Sequence, residues 1–110
     1  MDMENKVIII TGGGRGIGAA TAELCAKHGA KVVIADLNDE WGKNVESKLQ
    51  GMGLTVDFVH CDVSKESDVE AVVTYTVDKF GKLDGIFNNA ATIVVKPVVD
   101  LTAEEWNKVI

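Results

Sequence analysis

Along the chain, short unbroken apolar runs alternate with longer segments whose apolar residues recur every three or four positions. Lys6–Thr11 is apolar and β-branched and is followed by glycines, as in a strand covered on both faces. Gly16–His28 then sets Ile17, Ala20, Leu24 and Cys25 at helical spacing. That spacing predicts one buried helical face, with Gly29 placed to stop the helix. Lys31–Asp36, rich in Val and Ile, predicts a second strand. Asp39–Met52 sets Trp41, Val45, Leu49 and Met52 on one helical face, ending at Gly51 and Gly53. A third strand is predicted within Thr55–Val63, where polar residues interrupt the run. Ser64 or Ser67 is placed to cap a helix with the stripe Val69, Val72, Val73, Thr76, Val77 and Phe80, which Gly81 stops. Leu83–Asn88 predicts a fourth strand, followed by a loop containing Pro97. Thr102-Ala103-Glu104-Glu105 forms a capping box for a last helix, with Trp106, Val109 and Ile110 as its first apolar contacts.

Strands alternating with helices of this length predict repeated βαβ units, an α/β fold with helices on both faces of a parallel sheet. The expected strand order is 3-2-1-4. In that order the outer edge of strand four carries unpaired backbone groups, which favour aggregation. No internal repeat or low-complexity segment interrupts the pattern.

Composition narrows the partners. The formal charge of −6 argues against nucleic acid, which needs clustered Lys and Arg. An anionic cofactor stays open, because a helix N-terminus supplies local positive potential. The N-terminus has acids where a secretory signal needs bases, and the run Val7–Ile10 is too short for one. No stretch nears the about 18 apolar residues of a membrane span. Cys25 and Cys61 lack metal-ligand spacing and are expected to be reduced core residues. A cytoplasmic location follows as the default expectation.

The most informative residues are Thr11-Gly12-Gly13-Gly14-Arg15-Gly16-Ile17-Gly18, between the first strand and the first helix. Glycines there permit a sharp turn and close approach of backbone to a pyrophosphate, which meets free N–H groups at the helix N-terminus. The spacing Gly12-x-x-x-Gly16-x-Gly18 differs from the usual G-x-G-x-x-G, although Gly14, Gly16 and Ala19 fit G-x-G-x-x-A. A tight turn that binds nothing is the rival reading. Asp36 at the end of strand two, eighteen residues past Gly18, is near the place of an acid that bonds ribose hydroxyls. A carboxylate there repels the extra phosphate of NADP, so NAD is favoured. Arg15 keeps NADP open, since a guanidinium can serve a pyrophosphate or a 2′-phosphate.

With these residues in place, the chain resembles the short-chain dehydrogenase/reductase family. Four motifs carry the likeness: Thr11-Gly12-x-x-x-Gly16-Ile17-Gly18, Asp36, Cys61-Asp62-Val63 and Asn88-Asn89-Ala90-Ala91. The resemblance implies the N-terminal part of a Rossmann-type doubly wound sheet, residues 1–110 being the dinucleotide-binding part of one domain whose remainder is absent. It implies that Asp62 bonds the adenine amino group and that Val63 packs on the ring, with Cys61 beside them and Leu37 following Asp36. It implies that Asn88 stabilises the central strands while the Asn89–Ala90 backbone passes the ribose and nicotinamide end. Ala91 stands where the family has glycine; if that glycine needs a positive φ, alanine costs about 1 kcal/mol.

The family moves a hydride between a secondary alcohol or ketone and the nicotinamide, with a catalytic Asn, Ser, Tyr and Lys. By resemblance all four fall beyond Ile110, so no catalytic residue is assigned here. Tyr75 and Lys79 repeat the family's Tyr-x-x-x-Lys spacing but lie on the helix before strand four, away from the strand ends where ligands bind. They are expected to form a solvated helix face; His28, His60 and Asn107 are expected to be structural or surface residues. Ile93–Val98 is either a loop that closes over substrate or a connection packed on the sheet edge. The expected chain is a fragment of a longer oxidoreductase, itself a homo-oligomer, or one that needs a partner to hold its shape. Its partners would be NAD(H) and a small-molecule alcohol or ketone, and Lys96–Trp106 looks most like 3-oxoacyl carrier-protein reductases or glucose dehydrogenases. The alternative is a non-catalytic nucleotide-binding or interaction module; a methyltransferase-type nucleotide fold is disfavoured by the order of the four motifs.

Overall fold

The structure, a computed structural model, describes residues 2–89 and 96–97. Its elements are β1 (Val7–Thr11), α1 (Gly16–Lys27), β2 (Lys31–Asp36), α2 (Asp39–Gly51), β3 (Val56–His60), α3 (Glu66–Phe80), β4 (Gly85–Asn88) and β5 (Lys96–Pro97). They form one sheet in the order β3-β2-β1-β4-β5. β1 to β4 run parallel, giving the expected 3-2-1-4 arrangement. β5 differs from expectation: Lys96 and Pro97 pair antiparallel with Ile86 and Gly85, so the outer edge of β4 is partly covered.

Alternation along each strand sorts the core into two layers. Ile9, Val33, Ala35 and Ile86 pack with Val69, Val72 and Val73 of α3. Ile10, Val32, Ile34 and Val56 pack with Ala22, Cys25 and Ala26 of α1 and Leu49 of α2. The helices therefore cover both faces, as a sheet of apolar parallel strands requires.

In α3 the expected stripe turns inward, with Val69, Val72, Val73 and Thr76 buried; the main departure from the sequence pattern lies in α1 and α2. In α1 the buried residues are Gly18, Ala22, Cys25 and Ala26, while Ile17, Ala20 and Leu24 are exposed. The bulky strand residues fill the layer, so the helix that lies close to the sheet presents its small side chains. In α2, Trp41 and Met52 are exposed, and Gly42 and Leu49 are buried. A Cβ on Gly42 would lie 2.1 Å from Cε1 of Phe58, so the ring of β3 sits directly beneath the helix.

Ends are set by local polar groups. Asn38 caps α2, its side chain accepting from Trp41 N. Neither Ser64 nor Ser67 caps α3: Lys65 holds the N-cap without a side-chain bond. The Ser64 hydroxyl and N–H instead donate to Asp62 Oδ1, at 2.6 and 3.0 Å. Gly81 ends α3 in the left-handed region, a conformation that costs side-chain-bearing residues. The fourth strand starts at Gly85 rather than Leu83, because Asp84 makes its own link to β1: its N–H donates to Val7 O, and its Oδ2 accepts from Val7 N at 2.8 Å. Helix α2 also guards β3: Glu46 Oε2 accepts from Phe58 N, and Gln50 Nε2 donates to Val56 O. Those side chains occupy backbone groups that an edge strand otherwise offers to other chains.

Candidate functional site

The parallel register brings the C-terminal ends of β1, β2, β3 and β4 to one side of the sheet: Thr11 lies beside Ala35 and Asn88, and Asp36 beside His60. The glycine turn leaves β1 there. Gly12 N donates to Ala35 O at 2.7 Å, tying the turn to β2. Buried Thr11 ties it to β4, its hydroxyl donating to Asn88 Oδ1 at 3.0 Å and accepting from Asn89 N at 3.0 Å. Asn89 Nδ2 reaches Gly12 O at 3.4 Å. Thr11 is thus a site residue that the motif contains but that glycine spacing alone does not single out.

Two glycines have separate steric reasons. A Cβ on Gly18 would stand 2.2 Å from Gly12 O, so only a hydrogen lets the first turn of α1 close on the loop. Gly16 has φ +61, and a Cβ there would meet nothing within 4 Å; it borders open space over the N-terminus of α1. Arg15 precedes it as the extended N-cap, with no side-chain cap. The N–H groups of this first turn are therefore the site's donors.

Asp36 stands at the side of that opening. Its Oδ2 accepts from Gly14 N and its Oδ1 from Asn38 N, both at 2.8 Å. Backbone thus fixes the carboxylate, while the residue stays half-buried. Leu37 next to it and Ile17 on α1 are 60% and 66% exposed. Arg15 does not ion-pair with Asp36; its Cζ lies 4.1 Å from the centre of the Trp41 ring.

Beyond Asp36 the chain of β3 arrives, with Cys61 N donating to Asp36 O at 3.0 Å. The Cys61 side chain is buried in the core, and burial, with Asp68 and Asp62 nearby, pushes its thiol up to about 11. Asp62 is the opposite case: hydrogen bonds from Ser64 hold its carboxyl below the ordinary value. Val63 packs against the α3-side core. The structure therefore gathers Gly12, Arg15, Gly16, Ile17, Gly18, Asp36, Leu37, Asp62 and Asn89 around one end of the sheet, with Cys61 contributing backbone and Val63 partly in the core. Ala90 and Ala91 lie outside the described residues, as do the helix expected at Thr102, Asn107 and most of Ile93–Val98.

Tyr75 and Lys79 are not a free solvated pair. Tyr75 OH donates to Asp57 Oδ2 at 2.8 Å, and Lys79 Nζ pairs with the same oxygen. Burial and the Asp57 carboxylate raise the Tyr75 pKa, the wrong direction for a phenol that must release a proton near neutrality. His60 Nδ1 lies 2.6 Å from Asp39 Oδ1 on the surface. Among the described residues, no group of three or more His, Cys, Asp or Glu side chains is arranged to hold a metal, and no helix is long and apolar enough to cross a membrane.

A family model of short chain dehydrogenase matches residues 6–110. An uncharacterized oxidoreductase of Thermotoga maritima is 46% identical over 108 residues, which are 98% of this chain and 42% of that protein. Tropinone reductase-like 1 of Erythroxylum coca is 55% identical over 91 residues, 83% of this chain and 32% of that protein. A solved short-chain dehydrogenase/reductase from Burkholderia phymatum, in complex with NAD, matches with a TM-score of 0.76 and 34% identity, over 79% of this chain and 31% of that one. The chain spans between 32% and 42% of the length of those two relatives. With the 3-2-1-4 sheet and a glycine turn at its C-terminal edge, these matches place the chain in the short-chain dehydrogenase/reductase family.

Proposed function

We propose that this chain supplies the cofactor-binding half of a longer oxidoreductase that transfers a hydride between NAD and a small secondary alcohol or ketone. One observation carries the reading: the opening at Gly16, with the α1 N-terminus below it, has the fixed Asp36 carboxylate at its side. A dinucleotide fits that arrangement. Its pyrophosphate would meet the N–H groups of the first turn of α1, where the helix dipole favours negative charge. The Asp36 oxygens would accept from the adenosine ribose hydroxyls. Leu37 and Val63 would line the adenine, Asp62 would take its amino group, and the Asn89–Ala90–Ala91 backbone would run toward the nicotinamide. When bound, the nicotinamide supplies the hydride donor or acceptor; the chain's own residues bind and orient.

Asp36 favours NAD over NADP. Like charges about 5 Å apart repel by on the order of 3 kcal/mol per unit charge at an effective dielectric of about 20, less where water screens them. A 2′-phosphate would bring up to two charges toward Asp36. The test is fluorescence titration of the intact protein with NADH and with NADPH. Saturable NADH binding at least tenfold tighter than NADPH is expected, and Asp36→Ala is expected to erase most of that preference. No saturable binding of either nucleotide, or a preference that survives Asp36→Ala, overturns the proposal.

A further inference from the structure

Arg15 follows Gly14 in the chain and Asp36 Oδ2 accepts from Gly14 N at 2.8 Å, so two opposite charges adjoin one glycine. They do not pair here. Both Asp36 oxygens face backbone N–H groups, of Gly14 and Asn38, and the Arg15 guanidinium rests on the Trp41 ring, 4.1 Å from its centre. The space is tight: a Cβ on Gly14 would meet Asp36 Oδ2 at 2.7 Å and Trp41 Cβ at 2.9 Å. The main-chain N–H of Trp41 donates to Asn38 Oδ1 at 3.0 Å, the cap of α2, which fixes the backbone from which the indole projects.

We infer that Trp41 is a positioning residue for cofactor choice: it holds the Arg15 guanidinium on its ring and so withholds a cation that would otherwise favour a 2′-phosphorylated dinucleotide. The inference rests on the reading of the glycine turn and Asp36 as a dinucleotide site. A planar guanidinium suits an indole face. An exposed contact of that kind holds its partner by a factor of about two to five. The withheld population appears as that factor in the apparent affinity for any ligand that needs the arginine free. Two residues thus act together: Asp36 repels the phosphate, and Trp41 removes the countercharge that would soften the repulsion.

The experiment is a double-mutant cycle in the intact protein, reading the ratio of NADPH to NADH dissociation constants. Trp41→Leu is expected to shift that ratio toward NADPH by about two- to fivefold. Trp41→Phe, which keeps an aromatic face, is expected to stay nearer wild type. In an Arg15→Gln background the effect of Trp41→Leu is expected to vanish. A ratio unmoved by Trp41→Leu, or moved equally with and without Arg15, overturns the inference. A measurement on the unaltered protein covers the case of a leucine variant that does not fold. Arg15 δ-protons should resonate upfield under the indole ring current, with and without NADH, and ordinary shifts would overturn the inference. Absence of NADH binding by the wild-type protein instead removes the dinucleotide reading itself, which separates the two failures.

Discussion

The two ends of the same parallel sheet use acidic residues for opposite purposes. At the N-terminal ends of the strands, Asp57 and Asp84 are taken up by partners: Asp57 by Tyr75 and Lys79, and Asp84 by Val7 N and Lys82. At the C-terminal ends, Asp36 and Asp62 are held by neighbouring backbone or a serine, and both residues keep some exposure. Strand polarity explains the division. Chain leaving a parallel strand must turn into a helix N-terminus, which collects unpaired N–H groups and room for an anion. Chain entering a strand arrives from a helix C-terminus, where carbonyls gather and cations are favoured. On the proposed reading, one end binds and the other holds.

The sharpest way to break this contrast is to add one methyl group at the binding end. Gly18→Ala puts a Cβ 2.2 Å from Gly12 O, and backbone has to move. A loss of about 2–3 kcal/mol in stability is expected from such overpacking, with NADH affinity down a hundredfold or more because the turn and helix separate. Urea unfolding and NADH titration measure the two effects. An alanine variant that binds NADH within threefold of wild type would show that the close approach is not needed.

The holding end should respond in stability alone. Asp57→Ala removes the shared acceptor of Tyr75 and Lys79, a charge-assisted contact expected to be worth about 2 kcal/mol. Tyr75→Phe, which leaves Lys79 paired, is expected to lose about 1 kcal/mol. Neither change is expected to move NADH affinity more than twofold. A hundredfold fall in NADH affinity for Tyr75→Phe would collapse the distinction between the ends.

Element types, their order and the 3-2-1-4 sheet were legible because apolar runs and helical periods differ strongly here and glycines mark the ends. The inward stripe of α1 was not. Ile17, Ala20, Leu24 and Cys25 have the right period, yet so do Gly18, Ala22, Cys25 and Ala26, and of the expected set only Cys25 is buried. Hydrophobicity selects the bulkier set, whereas the close approach at Gly18 selects the smaller. Ser64 is not a cap for a related reason: periodicity locates a helix start, but Asp62 competes for the same hydroxyl two residues earlier. In the candidate site, glycines and Asp36 could be read from spacing. Trp41 could not, since on α2 it belongs to a plausible apolar face, and only the fold sets it under Arg15. The position of Tyr75 and Lys79 on the helix before strand four is legible, but their partner Asp57 comes from another element and leaves no local trace.

The smallest expected effect sharpens the contrast by pH. Burial alone would raise the Asp84 pKa, but the Val7 N–H and the Lys82 and Lys6 ammonium groups outweigh it and leave it below the ordinary value. A carboxyl with a lowered folded-state pKa adds stability above its unfolded value, near 3.9, and loses it as pH falls through the folded value. Asp84→Asn keeps an oxygen to accept from Val7 N and removes only the charge. The wild-type protein is therefore expected to exceed the variant by about 0.5–1 kcal/mol above pH 5 and to converge with it as pH falls through the lowered folded value, as followed by urea unfolding across acid pH. Asp36, whose oxygens serve the binding end, provides the control: Asp36→Asn should lower the NADH-over-NADPH preference more than it lowers stability. If Asp84→Asn instead changed that preference, the two ends of the sheet would be coupled through β1, and the division of labour between them would fail.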